Sequence, residues 1–167
     1  MNYFIIIRGP AGVGKSTISK LLEKKINGKI IHYDRVMTGL KLNYIPGEKW
    51  IPLDKFLEAD KIMIPKFKRK LNQGINLIFD GNFYHKEHVE NLVRALDYPN
   101  FIFTLKADLD ECIKRDRTRK GVLGKETTKE VFDLSFDYGT VIDTNNKTPD
   151  AVAKEIITHL SNSNNYR

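Results

Sequence analysis

Residues 9 to 16 read Gly9-Pro10-Ala11-Gly12-Val13-Gly14-Lys15-Ser16, the spacing G-x-x-x-x-G-K-[ST], followed by Thr17. Those residue types suit one task, the gripping of a polyphosphate. The glycines lack a Cβ, so the backbone can curl tightly enough to aim successive N–H groups at phosphate oxygens. Lys15 adds a mobile positive charge for the β- and γ-phosphates, and the Ser16 hydroxyl suits a Mg²⁺ ion bridging them. The expected nucleotide contacts are therefore Gly9, Ala11, Gly12, Val13, Gly14, Lys15, Ser16 and Thr17.

Further chemistry-bearing residues follow short apolar runs. Asp34-Arg35 comes after Ile30-Ile31-His32-Tyr33, and Asp80-Gly81-Asn82 after Asn76-Leu77-Ile78-Phe79. A carboxylate at the tip of a buried strand supports a Mg²⁺ ion, which assigns the metal to Ser16 and Asp80. Asp34 is the expected acceptor-side carboxylate, able to take a proton from an incoming hydroxyl, with Arg35 and Asn82 beside it. Arg115, Arg117 and Arg119 stand on one predicted helix. Arg115 and Arg119, four apart, share a face and are the expected cationic clamp on the transferring group. His85 and His88 read as solvent-exposed polar residues, and His32 and His159 join no metal set.

Five apolar segments read as strands: Tyr3 to Ile7, Ile30 to Tyr33, Asn76 to Phe79, Phe101 to Leu105 and Thr140 to Ile142. Helical patterns separate them. The first opens at Ser16 with Ile18, Leu21, Leu22 and Ile26 on one face, and a long one spans Leu53 to Asn72 with an interruption expected at Pro65. Others cover Lys86 to Leu96 and Asp108 to Arg119. Thr127 to Glu130 forms a capping box for a helix ending near Ser135, and Pro149 opens the last, ending near Leu160. Asn43 to Pro52 reads as a loop. Strand alternating with helix implies an α/β fold with a parallel, doubly wound sheet, whose ligands bind beyond the carboxyl ends of the strands.

The 167 residues amount to one domain, 1–160, followed by a polar tail, 161–167. A lone cysteine, Cys112, allows no internal disulfide, and the N-terminal apolar run is too short for a signal peptide or membrane span; a cytoplasmic setting with no membrane partner is expected. The net charge of +7 is compatible with polyanionic partners and equally with phosphorylated substrates. Basic residues bunch in Lys61 to Lys70, where a solvated helix face and a nucleic-acid track are both open readings. A guanine-reading switch is disfavoured, because Asn146-Lys147-Thr148-Pro149 carries proline where an Asn-Lys-x-Asp element needs aspartate.

With the loop, Asp34-Arg35, Asp80-Gly81-Asn82, the stretch Cys112 to Arg119 and Val141-Ile142-Asp143-Thr144 in this order, the chain resembles the small P-loop kinases. It looks most like the branch holding polynucleotide 5′-hydroxyl kinases, chloramphenicol phosphotransferase and zeta-toxin-type kinases. The resemblance implies a three-layer P-loop NTPase fold with a five-stranded parallel sheet of order 2-3-1-4-5 and helices on both faces. It also implies an arginine-bearing lid at about 116–127, Mg²⁺-ATP as donor, and Asp143, Thr144 and Asn145 near the adenine. The carboxylate matching Asp34 serves that family as general base or acceptor anchor. The implied partner is ATP with a nucleoside, nucleotide or nucleic-acid 5′ end as acceptor. A small-molecule (antibiotic or metabolite) kinase and a nucleic-acid-associated regulatory NTPase remain the alternatives.

Overall fold

The computed structural model describes residues 2–43, 46–118 and 122–164. Its centre is β1 (Phe4–Arg8), hydrogen-bonded in parallel to β3 (Asn76–Asp80) on one side and β4 (Asn100–Lys106) on the other. β2 (Gly28–His32) pairs outside β3, and β5 (Thr140–Asp143) outside β4, giving the order β2-β3-β1-β4-β5. This is the expected three-layer α/β arrangement.

Alternation along β1 builds both faces of the core. Phe4 and Ile6 point into a cluster with Leu77, Phe79, Phe67 and Leu92, covered by α2 (Tyr33–Gly39), α3 (Leu53–Asn72) and α4 (Lys86–Leu96). Ile5 and Ile7 point the other way, to Ile18, Leu22, Phe103, Leu105 and Ile156, covered by α1 (Lys15–Lys25) and α7 (Pro149–Asn164). α5 (Leu109–Thr118) and α6 (Lys125–Asp133) stand together at the carboxyl edge. None of the described helices is long and apolar enough to cross a membrane.

Several boundaries differ from the sequence reading. β1 ends on Arg8 rather than Ile7, and that arginine is fully buried. Its guanidinium donates to Thr104 Oγ1 at 2.8 Å, to the Phe83 carbonyl at 3.2 Å and to the Phe136 carbonyl, and lies 3.9 Å from the centre of the Phe136 ring. Burial pulls its pKa down to about 10, with Asp137 opposing. Those carbonyls and the hydroxyl give the charge the hydrogen bonds that burial demands.

α3 runs through Pro65 without a break. Proline there frees the Lys61 carbonyl, and both residues are exposed, so the freed carbonyl is not buried without a partner. Tyr33 opens α2 rather than closing β2. α6 starts at Lys125, two residues before the expected capping box. The turn ahead of it is held from another helix: Asp116, on α5, accepts from the amides of Leu123 and Gly124, at 3.0 Å each to Oδ2. The last helix opens on Pro149 as expected, with the Thr148 hydroxyl oxygen accepting from Ala151 N–H at 3.2 Å, but it continues four residues into the predicted tail.

Candidate active site

The carboxyl ends of the strands set Arg8, His32, Asp80, Lys106 and Asp143 along one edge of the sheet. Above that edge opens a cleft of about 1160 Å³. Its floor is the turn between β1 and α1. Gly9, Gly12 and Gly14 have φ of +136°, +78° and +101°, values that L side chains rarely adopt. A Cβ at Gly12 would lie 2.2 Å from the Cys112 carbonyl oxygen, so α5 presses directly on the turn, whereas a Cβ at Gly14 would meet nothing within 4 Å. The turn is thus packed from behind and open in front, the shape required to admit phosphate oxygens. Lys15 folds back along this turn, donating to the carbonyls of Gly9 at 2.8 Å and Pro10 at 2.7 Å.

Ser16, in the first turn of α1, donates its hydroxyl to Asp80 Oδ2 at 2.7 Å. Strand register sets His32 opposite Asp80, and His32 Nδ1 lies 2.9 Å from the same oxygen. Two hard oxygen donors side by side at the mouth of a phosphate-shaped turn fit Mg²⁺. Among the described residues no group of three or more His, Cys, Asp or Glu side chains gathers as a metal cage, so phosphate and water oxygens would complete the coordination of an ion held there.

Asp34 stands across the cleft in the first turn of α2, and it keeps contact with solvent. Its carboxyl is raised above the usual carboxylate range, first because the cleft walls displace part of its hydration and also because Asp80 faces it; Lys15 and His32 act in the opposite sense. Arg35 and Asn82 line the same half.

Arg115 bridges three elements. Nε meets Glu111 Oε1 at 2.8 Å, Nη1 meets Thr144 Oγ1 at 3.0 Å and the Val13 carbonyl at 3.4 Å, and Nη2 meets the Thr144 carbonyl at 3.0 Å. It lines the donor half of the cleft while tying α5 to the phosphate turn and to the loop after β5. Arg119 and positions 119–121 of the expected lid lie outside the described residues.

The structure therefore gathers Ala11 to Thr17, Asp34, Arg35, Asp80, Asn82, Arg115 and Thr144 around one cleft. Gly9, Asp143 and Asn145 are not in its wall. Gly9 is pressed against the Leu105 carbonyl, Asp143 Oδ1 accepts from the Asn145 amide at 2.8 Å, and Asn145 Oδ1 accepts from the Asp108 amide at 3.0 Å, so these two brace the loop. Thr144, Lys147, Pro149 and Val152 reach the cleft instead.

Sequence reasoning missed several contributors. His32 touches Asp80, and His85 Nε2 lies 3.0 Å from the Ile51 carbonyl. His88, expected on the surface, is 1 % exposed. It lies between Phe56 and Phe83, with ring centroids 4.8 and 5.1 Å away, and reaches the buried Asp60. Asp60 also accepts from the Tyr33 hydroxyl and, at 2.7 Å, from Asn91 Nδ2. This network fixes the turn that carries Asp34. The available signal was the place of His88 one turn before Leu92 on the apolar face of α4, but its carboxylate partner is 28 residues away.

Comparison with known proteins agrees with this fold. Over 182 aligned residues the chain is 29% identical to a probable thymidylate kinase of Methanocaldococcus jannaschii, covering 96% of this chain and 97% of that protein. It is 25% identical to a putative adenylate kinase of Pyrococcus furiosus, covering 95% and 84%. A sugar kinase from Janibacter sp. HTCC2649 has the same fold, with a TM-score of 0.79 at 12% identity over 96% of this chain and 95% of that one. Residues 4–137 match the AAA_33 family, described as an AAA domain. The chain belongs to that family, within the small P-loop kinases, and is a phosphotransferase.

Proposed function

We propose that this protein transfers the γ-phosphoryl group of Mg²⁺-ATP to a hydroxyl or phosphate of a nucleoside, a nucleotide or a nucleic-acid 5′ end. The observation that carries the reading is the Ser16–Asp80 pair, 2.7 Å apart beside the phosphate turn, with Asp34 facing it across the same cleft. The thymidylate and adenylate kinases among its relatives support a nucleotide-related acceptor.

In this reading Gly12, Gly14 and Lys15 hold the triphosphate, and Thr144, Lys147 and Val152 flank the base of the nucleotide. Mg²⁺ at Ser16 and Asp80 supplies charge neutralisation for the β- and γ-oxygens. Asp34 orients the acceptor oxygen and takes its proton when that oxygen is a hydroxyl. Arg115 stabilises the charge on the transferring group. Residues 1–160 act as one catalytic domain with a lid at about 116–127, and a single cysteine, Cys112, suits a cytoplasmic setting.

The test is a transfer assay with γ-labelled ATP, Mg²⁺ and a panel of nucleosides, mononucleotides and 5′-hydroxyl oligonucleotides. Label on at least one of these supports the reading. Release of label only as inorganic phosphate, whatever the acceptor, overturns it.

A further inference from the structure

The acceptor half of the cleft has a wall that the phosphate chemistry does not use. Trp50 and Tyr84 meet edge-on with ring centroids 6.0 Å apart, and Tyr84 meets Phe56 at 5.6 Å with an interplanar angle of 85°. The three rings line the cleft together, on the side of Asp34 and Asn82. Tyr84 is committed there, since its hydroxyl donates to the Ile51 carbonyl at 3.3 Å and its pKa is pushed up to about 12, first by burial and also by Asp34. Beside Trp50, Lys49 of the loop before α3 meets Glu130 of α6 at 2.5 Å.

Charge on this half limits the occupant further. The Asp34 carboxylate faces it, while Asp80 is engaged with Ser16. Among the described residues lining the cleft, the Lys and Arg side chains between positions 32 and 84 are Arg35 and Lys49, and Lys49 meets Glu130 in an exposed ion pair. A phosphate dianion needs a surplus of donors with positive charge, and here the Asp34 carboxylate meets it. A hydroxyl finds in Asp34 an acceptor for its proton. Stacked or edge-on aromatic rings, for their part, select flat rings with little regard to substituents.

We infer that the wall of Trp50, Tyr84 and Phe56 binds the flat ring of an unphosphorylated alcohol, whose hydroxyl is presented to Asp34. This inference rests on the phosphoryl-transfer reading of the cleft and narrows it to nucleoside-like alcohols over nucleoside monophosphates. In the step, the acceptor oxygen forms a bond to the γ-phosphorus as the bond from that phosphorus to the β,γ-bridging oxygen breaks. The bridging oxygen keeps the electron pair and leaves on ADP, and the hydroxyl proton passes to the Asp34 carboxylate.

The experiment compares adenosine and thymidine, AMP and dTMP, and ring-free gluconate as acceptors for the full chain with labelled ATP, alongside binding of a fluorescent ATP analogue. A nucleoside is expected to become its monophosphate with kcat/KM at least tenfold above that of its monophosphate or of gluconate. Trp50→Ala is expected to raise the nucleoside KM by about tenfold, with kcat and the KM for ATP within about twofold, and Trp50→Phe to recover most of the loss. Conversion of AMP or dTMP to diphosphates in preference to the nucleosides overturns the inference and leaves the kinase reading standing. So does a preference for gluconate, an unmoved nucleoside KM in Trp50→Ala, or ATP binding without phosphorylation of either nucleoside. Failure to bind the ATP analogue brings down both.

Discussion

The Ser16 hydroxyl reaches Asp80 Oδ2 at 2.7 Å, so the first turn of α1 and the last residue of β3 present their oxygens as one unit. Residues 64 positions apart meet because β3 lies directly beside β1 and both end at the same edge. Asp80→Asn keeps the shape and removes the charge. Transfer is expected to fall about 10²- to 10³-fold, and the Mg²⁺ concentration for half-maximal rate to rise. A Mg²⁺ titration of both proteins checks this, and identical curves would remove Asp80 from the metal.

Two glycines of the phosphate turn separate packing from backbone strain. Gly14→Ala enters open space at a positive φ and is expected to cost about 1–2 kcal/mol. Gly12→Ala adds a clash with the Cys112 backbone and is expected to cost roughly 3 kcal/mol or more. Thermal or urea unfolding of the two variants ranks them, and the reverse order would contradict the packing of α5 against the turn.

Asp34 predicts a pH dependence with a definite sign. Its pKa lies above the ordinary value near 4, so its base form is lost at higher pH than for a free aspartate. The kcat/KM for a hydroxyl acceptor should rise with pH through that raised pKa and then level off. Asp34→Asn should lose about 10²- to 10⁴-fold in transfer while ATP binding is kept. A carboxyl raised in the folded state favours folding below its unfolded pKa, and loses that advantage as pH rises through the folded value. Asp34→Asn should therefore melt no lower than the wild type at pH 7, with the difference shrinking toward pH 4. A lower Tm at pH 7 would show that the ionised carboxylate is needed for structure.

Asp116 is 1 % exposed and accepts the amides of Leu123 and Gly124, just ahead of α6. In Asp116→Ala those N–H groups lose their acceptor, at a cost of about 1–3 kcal/mol. Hydrogen exchange is expected to speed up across residues 122–128 well before the central strands respond. Unchanged protection there would mean that α6 starts without help from α5.

The phosphate turn and the parallel sheet were legible because local rules govern them, whereas the strand order came from the resemblance to the small P-loop kinases. Glycines at fixed spacing report backbone geometry, and apolar runs alternating with helical patterns report a parallel sheet. What was not legible depends on partners distant in sequence. Asp116 holds the turn ahead of α6 from a neighbouring helix, and the Thr127–Glu130 pattern placed the start of α6 two residues late, while Glu130 turned out to meet Lys49. Tyr33 suits a strand by residue type, yet its hydroxyl is claimed by Asp60 on α3 and it opens a seven-residue helix instead. His32 looked like an isolated polar residue until register set it against Asp80. The aromatic wall joins Trp50, Phe56 and Tyr84 from three segments, and no spacing rule connects them.

Lys15 offers the most direct test. In single-turnover reactions with γ-labelled ATP, Mg²⁺ and a phosphorylatable acceptor, the wild-type chain should move label onto the acceptor. Lys15→Met, folded to the same circular dichroism spectrum, should do so about 10³-fold more slowly or not at all. Equal rates in the two proteins, or a wild-type chain that binds no ATP, would contradict the account of the phosphate turn as the seat of phosphoryl transfer.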